Sequence, residues 1–189
     1  MKKSFPQKEI RIEADGIHID VASEVTSPIY TFGFVKPHAY PRREEIVNDA
    51  THLSYRHSSP LHFVHGSDYF LSTGAAEKHY VVHHEKPFFR ELIDMITEGP
   101  IYKFIFFGNN AINAFRQVVG STDPRKSGEH TIRHMYGEPE RGISYNAVHA
   151  SDSVESFVHE VELHMTRDEM DEIFWARIDA YRQWLESLK

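Results

Sequence analysis

The chain has 189 residues, 40% of them hydrophobic and 26% charged, a length and composition that suit one compact domain rather than two full ones. A formal net charge of −7 argues against a dedicated nucleic-acid binder, whose surface needs concentrated Lys and Arg, but leaves room for a locally basic pocket. The absence of cysteine excludes disulfides, thiolate metal sites and cysteine nucleophiles.

Residues 9–22 read EIRIEADGIHIDVA and predict a β-hairpin. Asp15-Gly16 supplies the turn, and pairing Ala14 with Ile17, Ile12 with Ile19 and Ile10 with Val21 puts all six apolar side chains on one face. Ser27-Pro28 breaks the chain. Residues 30–35 read as a strand ended by Lys36-Pro37, and 43–53 as a helix with Ile46, Val47, Ala50 and Leu53 on one side. A short strand is expected over 61–65, and a helix capped by Thr73 over 73–83.

Pro87 opens a further helix carrying Phe88, Phe89, Leu92, Ile93 and Ile96, which Gly99-Pro100 stops. The run 101–107 is apolar on both faces, as a central strand is; interrupted by Lys103, it is also too short to span a bilayer. Asn109 caps the next helix and Gly120 closes it. Residues 145–150 are extended, and 152–155 fit a capping box that opens a helix running to about His164. Residues 168–187 form a last helix with a stripe of Met170, Ile173, Phe174, Ile178, Tyr181, Leu185 and Leu188.

Interleaved strands and helices predict an α/β (α+β) sandwich with helices packed on a sheet, of which a ferredoxin-like four-stranded sheet is the economical form. No apolar core of a signal peptide follows Lys2-Lys3, so the cytoplasm is the expected location and a membrane partner is not expected. Neither G-x-x-x-x-G-K-[ST] nor G-x-G-x-x-G occurs, so any phosphate binding falls to side chains. The 14 histidines are scattered, without H-E-x-x-H or another metal-ligand spacing.

The segment Asn146-Ala147-Val148-His149-Ala150-Ser151-Asp152-Ser153 places a histidine beside a helix start. A neutral imidazole is a competent nucleophile near pH 7, and Glu160 on the following helix is placed to fix its tautomer. Read alone, Ser-Asp-Ser is equally a plain helix cap and His149 a surface histidine. Lys36, Arg116, Arg125, Lys126 and Arg133 together could grip a polyphosphate, although each singly reads as a solvated charge.

Six segments resemble the nucleoside diphosphate kinase family in that family's order: YTFGFVKP at 30–37, HYVVHHEKPFF at 79–89, MITEGPIYKFIFFG at 95–108, RQVVGSTDP at 116–124, HTIR at 130–133 and NAVHASDSVESFVHEVEL at 146–163. The resemblance implies the family's four-stranded antiparallel ferredoxin-like sheet. It also implies a ping-pong reaction in which His149 takes the γ-phosphate of a nucleoside triphosphate and passes it to a nucleoside diphosphate. In that scheme Glu160 orients the ring, and Ser151 stands beside it. Lys36 lies near the sugar hydroxyl and the transferred phosphate, and Tyr80 supports the nucleophile's surroundings. His83, Arg116, Thr122 and Arg133 surround the phosphates, and Asn146 contacts the ribose. Phe88 stacks on the base, with Ile143 opposite and Leu92 alongside. Mg²⁺ bridges the phosphates, with Asp152 holding one of its waters at most. Partners are then nucleoside tri- and diphosphates and further copies of the chain, in a homo-oligomer built from dimers.

The chain departs from the family at His38, usually Asp; at His134-Met135-Tyr136, usually Gly-Asp-Phe; and at Ala150, usually Gly. His38 and Met135 remove carboxylates that help hold loops, and Ala150 would strain a backbone that needs positive φ. The loop before Asn146 is longer than usual. These departures keep open a related phosphotransferase with another acceptor, or a non-catalytic nucleotide-binding scaffold. The expected division is 1–28 as an N-terminal extension with the hairpin, 29–165 as the kinase-like domain and 166–189 as a helical extension.

Overall fold

The computed structural model describes residues 11–14, 17–20 and 28–189. Strands β1 (Arg11–Ala14) and β2 (Ile17–Asp20) pair antiparallel with Ile12 opposite Ile19 and Ala14 opposite Ile17. This is the register expected from the alternation; the Ile10–Val21 pair and the Asp15-Gly16 turn lie outside the described residues.

The main sheet is antiparallel, in the order β4-β5-β3-β6. Its strands are β3 (Tyr30–Val35), β4 (His62–Tyr69), β5 (Ile101–Phe107) and β6 (Val148–Ala150). This is the ferredoxin-like arrangement the sequence predicts. Helices cover both faces, which is why the two central strands β3 and β5 carry almost unbroken buried runs. One face packs Phe32 and Phe34 of β3 and Ile101 and Ile105 of β5 against α2 (Thr73–His79), α3 (Phe89–Thr97), α6 (Val154–His164) and α7 (Glu172–Ser187). The other packs Val35, Phe104, Phe106, Val148 and Ala150 against α1 (Arg43–Arg56), α4 (Ala111–Val119) and the short α5 (Ile132–Tyr136). Gly33 is required where β3 passes under that second layer, because a Cβ there would stand 2.8 Å from the Phe104 and Phe115 rings.

Several boundaries differ from expectation for local reasons. β4 runs four residues past His65, because it is an edge strand with mostly exposed side chains and no apolar alternation to mark it. The helix expected over 73–83 ends at His79 and passes through Tyr80 into a 3-10 turn, Val81–His83; Ser72 rather than Thr73 caps it, accepting from the Ala75 N–H. The cap residue before α4 is Asn110, not Asn109, and it sits in the left-handed region at φ 51°, which asparagine tolerates. Ser153, not Asp152, caps α6 by accepting from the Ser156 N–H at 3.0 Å.

The C-terminal segment begins with a capping box between Thr166 and Glu169, and Asp171 then caps α7. The buried stripe of α7 is Phe174, Trp175, Ile178, Tyr181 and Trp184; Leu188, expected on it, is exposed. This helix lies on the same face as α2, α3 and α6 and beside β1. Among the described residues no helix is long and apolar enough to cross a membrane.

Candidate active site

A cleft of about 600 Å³ opens at the end of the sheet where β3 and β6 meet the helices. Thirteen of the fourteen residues singled out above line it: Lys36, Tyr80, His83, Phe88, Leu92, Arg116 and Thr122, then Arg133, Ile143, Asn146, His149, Asp152 and Glu160. Ser151 is fully buried behind the cleft wall. Arg125 and Lys126 do not line it. Arg125 instead pairs with Asp123, at 2.9 Å.

His149 is the middle residue of β6 and pairs across the sheet with Phe34, whose ring stacks on the imidazole at 4.8 Å. Alternation along the strand packs the Val148 and Ala150 side chains into the opposite core and turns the His149 ring to the other face of the sheet, beside Phe34. Glu160 sits on α6, whose start is fixed by the Ser153 cap, and its Oε1 lies 2.8 Å from His149 Nε2. A carboxylate at that distance accepts the Nε2 proton and leaves the ring lone pair on Nδ1. Ser151 Oγ lies 2.5 Å from the other carboxylate oxygen and 3.1 Å from the Phe32 carbonyl, so Glu160 is itself held at both ends.

Burial, with Lys36 and Arg133 adding positive potential, pushes the His149 pKa down to about 3, so the ring is neutral near pH 7. Burial raises Glu160 to about 7. Lys36 is 5% exposed and donates through Nζ to the Ser144 carbonyl at 2.8 Å; burial and then Arg133 lower its pKa to about 7. Arg133 is held by carbonyls: Nη1 donates to Gly120 at 3.1 Å, and Nη2 to Val148 at 3.1 Å. Gly120 is needed there, since its φ of 85° and a Cβ at 2.6 Å from Thr131 Oγ1 would both penalise a side chain.

Two buried polar atoms of cleft residues, Tyr80 Oη and Asn146 Oδ1, find no protein partner among the described residues; Asn146 is anchored only through Nδ2, which donates to the Thr122 carbonyl at 2.9 Å. Phe88, 45% exposed, and Ile143, 49% exposed, flank the mouth as an apolar pair. Lys36 buried, Arg133 half-buried and Arg116 exposed along one cleft with an apolar rim suit a molecule with a polyanionic end and a flat apolar end.

The departures read differently in three dimensions. Ala150 has ordinary strand backbone, so its methyl group costs no strain; the positive φ in this segment belongs to Ala147, at 66°. His38 is a hydrogen-bond acceptor, taking the Ala147 N–H on Nε2 at 3.1 Å. His134 and Met135 are exposed on α5. Two residues that the sequence gave no reason to single out also matter: His79 lines the cleft with its ring 4.5 Å from that of His149, and His164 lies 3.0 Å behind it. Ligand atoms of His79, His149 and Glu160 all lie within 4.8 Å of one another, a group able to hold a metal ion.

The family profile described as "Nucleoside diphosphate kinase" matches residues 30–170. The chain is 43% identical over 95 residues to a nucleoside diphosphate kinase of Dehalococcoides mccartyi, an alignment covering 50% of this chain and 65%, just under two thirds, of that relative. It is 34% identical over 145 residues to one of Phenylobacterium zucineum, covering 74% of this chain and 96% of that one. Among solved structures, the Halobacterium salinarum nucleoside diphosphate kinase in complex with CDP superposes with a TM-score of 0.64 and 30% identity, over 78% of this chain and 97% of that chain. A Babesia bovis family protein superposes with a TM-score of 0.65 and 29% identity, over 78% and 99%. Sequence, sheet order and the surroundings of His149 therefore agree: the chain belongs to the nucleoside diphosphate kinase family of phosphotransferases.

Proposed function

We propose that the chain moves the γ-phosphate of a nucleoside triphosphate to a nucleoside diphosphate through phosphorylated His149. The observation that carries this reading is a neutral imidazole, bound at Nε2 by Glu160, in a cleft shared with Lys36, Arg116 and Arg133. The Nδ1 lone pair attacks the γ-phosphorus, the N–P bond forms, and the bond from phosphorus to the β-phosphate bridging oxygen breaks. The diphosphate leaves, and a second diphosphate takes the group by the reverse steps. Glu160 accepts the Nε2 proton throughout and supports the positive charge that grows on the ring. Phosphoryl transfer depends mainly on positioning and charge neutralisation, which Lys36, Arg116 and Arg133 supply. His83 and Thr122 face the same phosphates, Tyr80 supports the surroundings of His149, and Asn146 contacts the ribose. Phe88, Ile143 and Leu92 hold the base by stacking and apolar contact, which favours no single base strongly.

Mg²⁺ is the proposed cofactor. The donor set fits an ion held mostly by substrate phosphates and water, because the carboxylates of the cleft lining are few and Asp152 among them is exposed. When bound, the ion neutralises phosphate charge; Asp152 would hold one of its waters.

Residues 29–165 are taken as the catalytic unit and the cytoplasm as its place of action. A homo-oligomer built from dimers is also part of this reading, supported by the edge strand β4, where Phe63 and Val64 and the neighbouring Phe70 and Phe107 are exposed. Sedimentation should show self-association at micromolar concentration; a clean monomer would count against it. The scaffold alternative leaned on Ala150, whose unstrained backbone no longer supports it.

The test is phosphoenzyme formation. Wild type mixed with ATP and Mg²⁺ should gain acid-labile, alkali-stable phosphate and release it to several nucleoside diphosphates. His149→Ala, with its fold checked by circular dichroism, should gain none; label that persists in this variant refutes the assignment.

A further inference from the structure

We propose that His79, His149 and Glu160 form a site for one divalent transition-metal ion of the zinc type, and that its occupancy shuts off phosphotransfer; the second half rests on His149 being the nucleophile. The geometry carries the site. His149 Nε2 and Glu160 Oε1 are 2.8 Å apart, and one ligand atom each from His79, His149 and Glu160 lie within 4.8 Å of one another. Ligand atoms on a tetrahedral zinc ion stand about 3.3–3.6 Å apart, so closing the triad takes an opening of about 0.5 Å between His149 and Glu160 and an approach of up to about 1.5 Å by the His79 ring. All three residues line the cleft, from which water can reach them.

The ring of His79 is already oriented as a metal ligand's usually is. The site requires the tautomer in which His79 Nδ1–H donates to His164 Nε2, 3.0 Å away, and His164 is held by stacking on Phe32 at 5.6 Å and 11°. That leaves Nε2 of His79 for the cleft the residue lines. His79 and His164 are 8% and 3% exposed, and burial favours the neutral form of both rings; in that tautomer His164 Nε2 accepts and the lone pair of His79 stays on Nε2. Two imidazoles and a carboxylate select zinc, cobalt, nickel or copper over magnesium, which requires oxygen ligands and water. Lys36 and Arg133 repel a cation here, and Glu160 with Asp152 offsets them, so occupancy follows the free metal concentration rather than being permanent.

The effect on chemistry follows from the tautomer. If the ion binds His149 through Nε2, the ring proton moves from Nε2 to Nδ1, and any proton on Glu160 leaves to solvent. If it binds through Nδ1, that nitrogen is occupied directly. Either way the attacking lone pair is withheld.

The experiment uses metal-free full-length protein, Zn²⁺ alone as the probe, and excess Mg²⁺ throughout. Long-range proton–nitrogen NMR spectra of the imidazoles should show the ring nitrogens of His79 and His149 shifting together on titration. Equilibrium dialysis should give one more Zn²⁺ per chain for wild type than for His79→Gln. His164→Phe should weaken the Zn²⁺ affinity by about 10–100-fold, as loss of an orienting partner does. Shifts confined to other histidines, or equal binding by His79→Gln, overturn the site. Labelling of Zn²⁺-loaded enzyme by ATP should be lost and return with EDTA; undiminished labelling at saturating Zn²⁺ overturns the inhibition. Should metal-free wild type take no label while the two rings still shift, the phosphotransfer reading fails and the metal site stands.

Discussion

His38 sits where a carboxylate is usual and accepts the Ala147 N–H, while the Ala147 carbonyl in turn accepts the Lys36 N–H at 2.8 Å. The bond needs a lone pair on Nε2. Burial, and then Lys36, push the His38 pKa from 6.5 down to about 4, so the ring is neutral in the working range. The sign of the linkage follows. Between pH 6.5 and about 4 the unfolded chain binds this proton and the folded chain does not, so stability falls as pH falls through that window. His38→Leu removes the acceptor and should cost about 1–3 kcal/mol in urea unfolding, the penalty of an unsatisfied buried N–H, while His38→Asp should cost much less. Lys36 gives the opposite limb of the pH profile. With its pKa near 7 it loses charge as pH rises, so kcat/KM for the diphosphate should decline above about pH 7. A flat profile up to pH 9 would show that Lys36 keeps its proton. Arg116, exposed at the cleft wall, touches only the phosphates in this reading; Arg116→Ala should lower kcat by about 10²–10³-fold in steady-state assays with little change in stability.

At the scale of elements, the most informative link ties the segment after α6 to the central strand. Lys103, the one charge in β5, is 3% exposed and donates through Nζ to the His164 carbonyl at 2.6 Å and to Glu169 at 2.8 Å. Glu169 also accepts from Ser67 of β4 at 2.8 Å and from the Thr166 N–H at 2.8 Å. Burial alone would raise its pKa, but these hydrogen bonds outweigh that and lower it to about 2. Its contribution is therefore complete above pH 4.5 and lost as pH falls toward 2. Glu169→Ala leaves the Lys103 ammonium buried with a carbonyl as its remaining partner. It should destabilise the fold by about 3–5 kcal/mol in urea melts followed by tryptophan fluorescence. A loss below about 1 kcal/mol would mean the pair is solvated in solution. The sequence shows Lys103 only as an interruption of an apolar run; its partner lies 66 residues away, on an element with no periodic signature.

Over the whole molecule, what could be read from the sequence follows the physics of burial. β3 and β5 are central and buried on both faces, and their apolar runs mark them; β4 lies at an edge, and its eight residues mix polar and apolar without a regular alternation. The cleft was legible because its groups fall in order along matching segments, not because spacing revealed it. The His79–His164 contact spans 85 residues and leaves no local trace. The last helix was visible as a stripe, but its role was not. Far from being decorative, α7 places Phe174, Trp175, Ile178, Tyr181 and Trp184 in the core that also holds Phe32 and Phe157. Buried aromatic side chains remove about 150–250 Å² each from water. A chain ending at residue 165 should therefore fail to give a cooperative thermal transition; one that melts at the temperature of the full chain would show that the core closes without this helix.

β6 is three residues long, and its neighbours on either side of His149 point into the opposite core. A slip of one position along β3 would swap the imidazole for a methyl or isopropyl group and bury the reactive ring among Phe104 and Phe115. Competence to accept phosphate is thus an all-or-none readout of strand registration. In a refolding time course, radiolabel should appear only when this last, shortest strand has docked, later than the helical signal.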